Sequence, residues 1–175
     1  TLIIDIRTGT GCLILSLLHE LNKNGHEIKG LALDISKKAL TVAKQNAKKL
    51  NIQNITFLHS NLLSTILKKP ILFKQAKHII ILANLPYLTP QEIKKEKSIS
   101  REPILALDGG KNGLELYEKL AQQINLLRQD FPIPITIICE INPRQKKLFE
   151  KIWSQPANFK VDLAKKVRIG LIRFN

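Results

Sequence analysis

Two short stretches of this sequence carry the residue types that chemistry needs. In ILANLPYLTP, residues 81–90, an apolar run breaks into Asn84, Leu85, Pro86 and Tyr87. An amide, a proline and a phenol at that point form either an ordinary strand exit or a grip for something planar. In DIRTGTG, residues 5–11, an apolar run ends in a turn, and a second apolar run closes on Asp34. Gly9 and Gly11 allow backbone to approach a ligand closely. The N-terminus of a helix after such a turn presents free N–H groups to an anion or carboxylate. An acid at the end of the second strand of a βαβ unit can accept both hydroxyls of a ribose. Its bland role is to cap the next helix, which Ser36 could also do. The spacing from Gly11 to Asp34 fits one βαβ unit, so the pair points to an adenosine-containing cofactor, NAD or S-adenosylmethionine. The turn has GTG without the full GxGxxG spacing, which leaves the dinucleotide fingerprint incomplete.

These residues need elements to hold them. Residues 1–6 read as a buried strand, CLILSLLHELNKN as a helix ended by Gly25, and residues 28–34 as a second strand. Ser36 is placed to cap the helix SKKALTVAKQNAKKL, whose apolar positions 39, 40, 43, 47 and 50 follow helical spacing. Residues 54–59 and HIIILAN read as strands three and four, with a short helix and a loop broken by Pro70 between them. Residues 85–110 read as a long polar loop, 112–129 as a helix, and IPITIICEI as a fifth strand starting near Ile135, because Pro134 cannot sit in a ladder. PRQKKLFEKIWSQ reads as a helix with Pro143 in its first turn. FKVDLA and VRIGLIRF read as two closing strands without a helix between them, an antiparallel hairpin at one edge. Alternating strands and helices with continuous apolar strands predict a parallel sheet covered on both faces. Ligands of such sheets bind beyond the C-terminal strand ends, where RTGTG, Asp34, Asn61-Leu62 and Asn84-Leu85-Pro86-Tyr87 fall at the first four exits.

The chain has 175 residues, enough for one domain, and 44% of them are hydrophobic. No apolar run reaches the ~18 residues of a membrane-spanning helix, and nothing near Thr1 resembles a signal peptide. Cys12 and Cys139 lack metal spacing and read as buried thiols in a reducing compartment, so the expected location is the cytoplasm. The net charge is +14. Clustered cations would suggest nucleic acid, but these lysines are dispersed and seldom interleave with aromatics, so direct nucleic-acid binding is not favoured. The sequence contains no methionine and opens inside the strand-like run TLIIDI, which reads as a fragment lacking an N-terminal part.

Nearly the whole chain resembles the release factor glutamine methyltransferases, within the class I methyltransferases. Asp5-Ile6-Arg7-Thr8-Gly9-Thr10-Gly11 resembles that family's cofactor turn, and Leu33-Asp34-Ile35-Ser36 with Ala39-Leu40 its ribose segment. Asn84-Leu85-Pro86-Tyr87 is similar to its Asn-Pro-Pro-Tyr motif. Most specific is Arg101-Glu102-Pro103, followed by Ala106-Leu107-Asp108-Gly109-Gly110 and Asn112-Gly113-Leu114. Asp162-Leu163-Ala164 and Arg168 resemble the closing strands.

The resemblance implies a Rossmann-like class I methyltransferase sandwich over residues 1–175: a mostly parallel seven-stranded sheet with an antiparallel edge hairpin. It implies S-adenosyl-L-methionine as cofactor, held by Asp5, Arg7, Thr8, Gly9, Thr10, Gly11, Asp34, Ile35, Asn61, Leu62 and Asn84. It implies methyl transfer to the side-chain amide nitrogen of a glutamine in a peptide chain release factor, with Asn84, Leu85, Pro86 and Tyr87 at the reacting group. The expected protein is a monomer without its family's N-terminal substrate-binding domain. Block 101–114 is expected to support the site and wall its substrate side, with Glu102 in an ordinary salt bridge. Three departures stand out: Arg7 replaces a glycine, Asn61 a common acid, and Leu85 the first proline. The Asn-Leu-Pro-Tyr form also resembles ribosomal RNA adenine dimethyltransferases, so RNA adenine methylation is the alternative; a decayed domain that no longer binds cofactor is another.

Overall fold

A computed structural model describes residues 1–26, 28–69, 75–95 and 102–175. Pro70 and Arg101, both singled out above, lie outside the described residues. The strands are β1 (Leu2–Ile6), β2 (Lys29–Asp34), β3 (Ile55–His59), β4 (Ile79–Ala83), β5 (Ile135–Glu140), β6 (Ala157–Val161) and β7 (Val167–Phe174). The helices are α1 (Cys12–Lys23), α2 (Lys37–Lys49), α3 (Ser64–Leu67), α4 (Pro90–Lys95), α5 (Glu115–Asp130) and α6 (Lys146–Glu150). The strands form one seven-stranded sheet in the order β3-β2-β1-β4-β5-β7-β6. The first five are parallel, and β7 runs antiparallel to both β5 and β6. The expected fold class and edge hairpin are both present. The hairpin's later strand lies inside, between β5 and β6.

Every residue of β1 is buried, which explains why it is apolar on both faces apart from Asp5: helices cover both faces. Alternate side chains feed two layers. Leu2, Ile4 and Ile6 join a core with Tyr117, Leu120 and Ile124 of α5 and with Phe149 and Trp153. Ile3 faces Ile14, Leu15 and Leu18 of α1 and Ala47 of α2. Helix α2 starts where expected: the Ser36 hydroxyl accepts the Ala39 N–H at 3.2 Å.

Four local expectations change. The stretch 85–110 is not all loop, because α4 forms within it. Thr89 and Glu92 bond reciprocally, Thr89 N–H to the Glu92 carboxylate at 2.9 Å and Glu92 N–H to the Thr89 hydroxyl at 3.3 Å, and Pro90 begins the first turn. The helix expected from Pro143 is a 3-10 turn (Pro143–Gln145) plus the short α6. The chain leaves it so that Trp153 can pack on Phe149, ring centroids 5.6 Å apart. Helix α5 begins at Glu115, after a turn at 112–114. Cys12 is exposed, because the stripe of α1 that enters the core is Ile14, Leu15 and Leu18, while Cys139 is buried as expected. Among the described residues no helix is long and apolar enough to cross a membrane.

Candidate functional site

Sheet register aligns the site. Ile6 pairs with Leu33 on one side and with Ala83 on the other, so the next residues, Arg7, Asp34 and Asn84, leave the sheet level with one another. Ala83 pairs with Cys139, which brings Glu140 level with Asn84 on the far side. β1 is flanked by β2 and β4, so the strand order reverses there, with all three strands parallel, and a crevice opens at the strand ends.

The turn after β1 is held from beneath. The Thr8 hydroxyl donates to the Asp5 carboxylate at 2.6 Å, Thr8 N–H donates to the Leu33 carbonyl at 2.9 Å, and Gly11 N–H donates to the Thr8 carbonyl at 2.9 Å. Burial raises the Asp5 pKa to about 6, against the lowering pull of the Thr8 hydrogen bond. Gly9 and Gly11 both adopt positive φ, for different reasons. A Cβ on Gly11 would come within 2.8 Å of the Leu15 side chain and 3.3 Å of Ala43, so this glycine lets α1 and α2 approach. A Cβ on Gly9 would meet nothing within 4 Å. Gly9 opens onto space.

That space is a cavity of about 250 Å³ lined by Arg7, Gly9, Asp34, Ser36, Ala39, Asn84, Pro86, Pro103, Leu105 and Ala106. The Asp34 carboxylate accepts Gly9 N–H at 2.8 Å and Ser36 N–H at 2.7 Å, which fixes it at the cavity wall. A carboxylate has about four lone-pair sites, so two backbone bonds leave room for vicinal hydroxyls. Arg7 has φ 62, the left-handed region where a side chain costs about 1–2 kcal/mol. Its guanidinium crosses the cavity and donates to the Leu105 carbonyl at 3.0 Å. Burial lowers the Arg7 pKa, and the Asp34 charge pulls it back up.

A second cavity of about 360 Å³ adjoins the first. Asn84, Pro86 and Ala106 belong to both walls, and Leu85, Tyr87, Leu88, Glu102, Leu107 and Glu140 complete the second. Asn84 is exposed, and among the described residues neither its side chain nor the Leu85 carbonyl has a hydrogen-bond partner. The Leu85 side chain is buried in the core, and its N–H reaches the buried Tyr117 hydroxyl at 3.4 Å. That hydroxyl in turn donates its one proton to the Glu140 carbonyl, with the Ala83 carbonyl beside it at 3.2 Å, tying the ends of β4 and β5 together. Burial raises the Tyr87 pKa most; the Glu140 charge adds to the rise and the Arg168 charge opposes it.

Block 102–114 clasps this loop. Leu88 N–H donates to the Leu107 carbonyl at 3.1 Å and Gly109 N–H to the Leu88 carbonyl at 2.8 Å, a short parallel bridge. A Cβ on Gly109 would fall 2.6 Å from the Pro86 carbonyl oxygen, and one on Gly113 would collide with the Tyr87 carbonyl and the Gln145 amide. The buried Gln145 amide closes the clasp, donating to the carbonyls of Tyr87 at 2.9 Å and Asn112 at 3.0 Å.

Of the residues expected around a cofactor, Arg7, Gly9, Asp34 and Asn84 line the first cavity. Asp5, Thr8, Thr10, Gly11 and Ile35 shape the turn and the start of α2 without lining it. Asn61 and Leu62 fall elsewhere. Asn61 is exposed, and Leu62, at φ 53 with its carbonyl held by the Ser60 hydroxyl at 2.7 Å, turns its side chain into the core. Glu102 has no ion pair among the described residues and faces the second cavity instead. Glu140, Gln145 and Tyr117 also serve the site and are absent from the residues expected there. Glu140 carries a signal: an acid closing a buried strand, the rule that picks out Asp34, applied at the fifth exit.

A family model described as a methyltransferase domain matches residues 1–152. The release factor glutamine methyltransferase of Borreliella burgdorferi is 37% identical over 123 residues, 69% of this chain and 38% of that protein. The protein of the same name in Bacillus subtilis is 32% identical over 145 residues, 82% of this chain and 46% of the relative. The chain thus spans less than half the length of either. Among solved structures, a ribosomal protein L11 methylase from Lactobacillus delbrueckii subsp. bulgaricus aligns with a TM-score of 0.55 at 17% identity, covering 99% of this chain and 70% of that one, a likeness of fold.

Proposed function

The chain belongs to the methyltransferase-domain family, and from that premise we propose that it methylates the side-chain amide nitrogen of a glutamine in a peptide chain release factor. On this reading residues 1–175 form one S-adenosylmethionine-dependent domain acting as a monomer in the cytoplasm. The observation that carries it is that Asn84, on the wall shared by the two cavities, and its neighbour Leu85, on the wall of the second, leave the Asn84 amide and the Leu85 carbonyl without an internal partner among the described residues. The names of the curated relatives support the choice of substrate.

The first cavity fits the cofactor. Gly9 leaves open space for backbone contact, and Asp34 presents a fixed carboxylate to a ribose. When bound, S-adenosylmethionine supplies an electrophilic methyl group on a sulfonium. An amide nitrogen is a poor nucleophile because its lone pair is delocalised into the carbonyl, so its orientation decides the rate. The Asn84 side-chain oxygen accepts one N–H of the substrate amide and the Leu85 carbonyl accepts the other. Two such bonds hold the nitrogen with its developing lone pair toward the first cavity, worth several kcal/mol of the barrier. Pro86 fixes φ and removes a competing N–H. The Tyr87 ring lies against the amide plane. Tyr117 and Gln145 hold the loop carrying these groups.

The test incubates the protein with S-adenosylmethionine and a release factor and seeks one added methylene on a glutamine by peptide mass spectrometry. Transfer is expected, with Asn84→Ala about 100-fold slower or worse, as when one oriented polar group is lost from a site. Methyl label in RNA and none in release factor would transfer the assignment to RNA adenine methylation. No transfer to either, where a relative of the named kind works, would end the reading.

A further inference from the structure

We propose that Arg7 is the carboxylate receptor of the first cavity, taking the amino-acid end of an amino-acid nucleoside thioether while Asp34 takes its ribose. This rests on the cofactor reading above and extends it to a residue that stands where the resembling family has glycine.

Arg7 and Asp34 leave the sheet level with each other and both line the cavity. The wall therefore combines an anion-receiving guanidinium and a hydroxyl-receiving carboxylate with apolar surface from Ala39 and Pro103. A guanidinium carries five N–H donors in a rigid fork. Among the described residues, Arg7 makes one hydrogen bond, through Nη2 to the Leu105 carbonyl, and no ion pair. Both Asp34 oxygens already accept backbone N–H groups, which orients that carboxylate toward the turn and α2. Arg7 is thus a half-buried cation in the cavity lining with most of its donors unused. A carboxylate matches that fork with two parallel charge-assisted bonds, which a neutral carbonyl cannot provide. The backbone at φ 62 is strained, and the Leu105 bond holds the guanidinium to another residue of the cavity lining.

Calorimetry on the purified chain separates this role from simple crowding. The probes are S-adenosylhomocysteine and its decarboxylated analogue, which lacks only the carboxylate, titrated into the native protein, Arg7→Gln, Arg7→Lys and Arg7→Gly. The native protein is expected to prefer S-adenosylhomocysteine by about tenfold or more, the scale of a charged hydrogen bond. Arg7→Gln and Arg7→Gly should bring the two ligands within about threefold of each other, with Arg7→Lys in between, since a lysine keeps the charge and loses the fork. An unchanged preference in Arg7→Gln, or tighter binding of both ligands by Arg7→Gly, would overturn the proposal while leaving the cofactor reading intact. If neither ligand binds native or Arg7→Gly protein that melts cooperatively, the cofactor reading falls and this inference falls with it.

Discussion

Replacing Tyr117 by Phe removes one oxygen atom and tests how the site is held. The hydroxyl is fully buried, its pKa raised well above the ordinary phenol value chiefly by burial, so it stays a neutral donor. It donates its one proton to the Glu140 carbonyl, with the Ala83 carbonyl at 3.2 Å, and accepts from the Leu85 N–H at 3.4 Å. Phe keeps the edge-on packing against Phe149, centroids 5.3 Å apart, so the change isolates the hydrogen bonds. One donated bond is worth about 1 kcal/mol net, and an orphaned buried N–H costs about 1–3 kcal/mol more, which gives roughly 2–4 kcal/mol. With a urea dependence of about 1–3 kcal/mol/M, the unfolding midpoint should fall by about 1 M or more. The same variant should lose turnover, because Leu85 no longer has its N–H anchored and its carbonyl drifts. Affinity for S-adenosylhomocysteine should hold, since Tyr117 does not line the first cavity. A midpoint shift worth less than about 0.5 kcal/mol, the scatter of an ordinary surface change, would refute this account of the anchor.

Asp5→Asn tests the buried acid under the turn. Its folded pKa of about 6 exceeds the ordinary 3.8, so the native state holds this proton more tightly than the unfolded chain. Its contribution is complete below the lower value and is lost as pH rises through the upper one, on the order of 3 kcal/mol. Asp5→Asn should therefore gain stability relative to native as pH rises from about 4 to about 7.5, measured by denaturation at each pH; a flat difference would contradict it. Gly113→Ala puts a Cβ onto the Tyr87 carbonyl and the Gln145 amide at a residue with φ 71. It should cost about 2 kcal/mol or more in unfolding free energy and abolish methyl transfer, whereas Gly9→Ala, with open space around its Cβ, should be milder in stability.

Much of this architecture is legible in the order of the amino acids. β1 and β4 read as strands because burial on both faces leaves no polar alternation, and Ser36 marks the start of α2 through its own capping bond. The strand-exit rule brings Arg7, Asp34 and Asn84 together because parallel register makes equal positions level. Tyr117 and Gln145 are not legible, because their roles lie in bonds to partners 32 and 58 residues away, and nothing local distinguishes them from other helix and turn residues. The core position of the Leu62 side chain is not legible for a local reason: it sits at φ 53, a left-handed turn without a glycine to announce it. Arg7 is visible as an oddity, but only the fold supplies Leu105 across the cavity.

The placement of β7 between β5 and β6 bears on how the chain is made. Both neighbours of that strand precede it in sequence. During synthesis β5 therefore has an open edge, and β6 has no partner at all, until Val167–Phe174 has left the ribosome. Open edges invite pairing with other chains, and pairings distant in sequence form late. β5 ends on Cys139 and Glu140, and Glu140 walls the second cavity. The strand that carries Glu140 is therefore paired on both sides only once β7 has emerged, so a chain lacking β7 would present an aggregation-prone edge beside the second cavity.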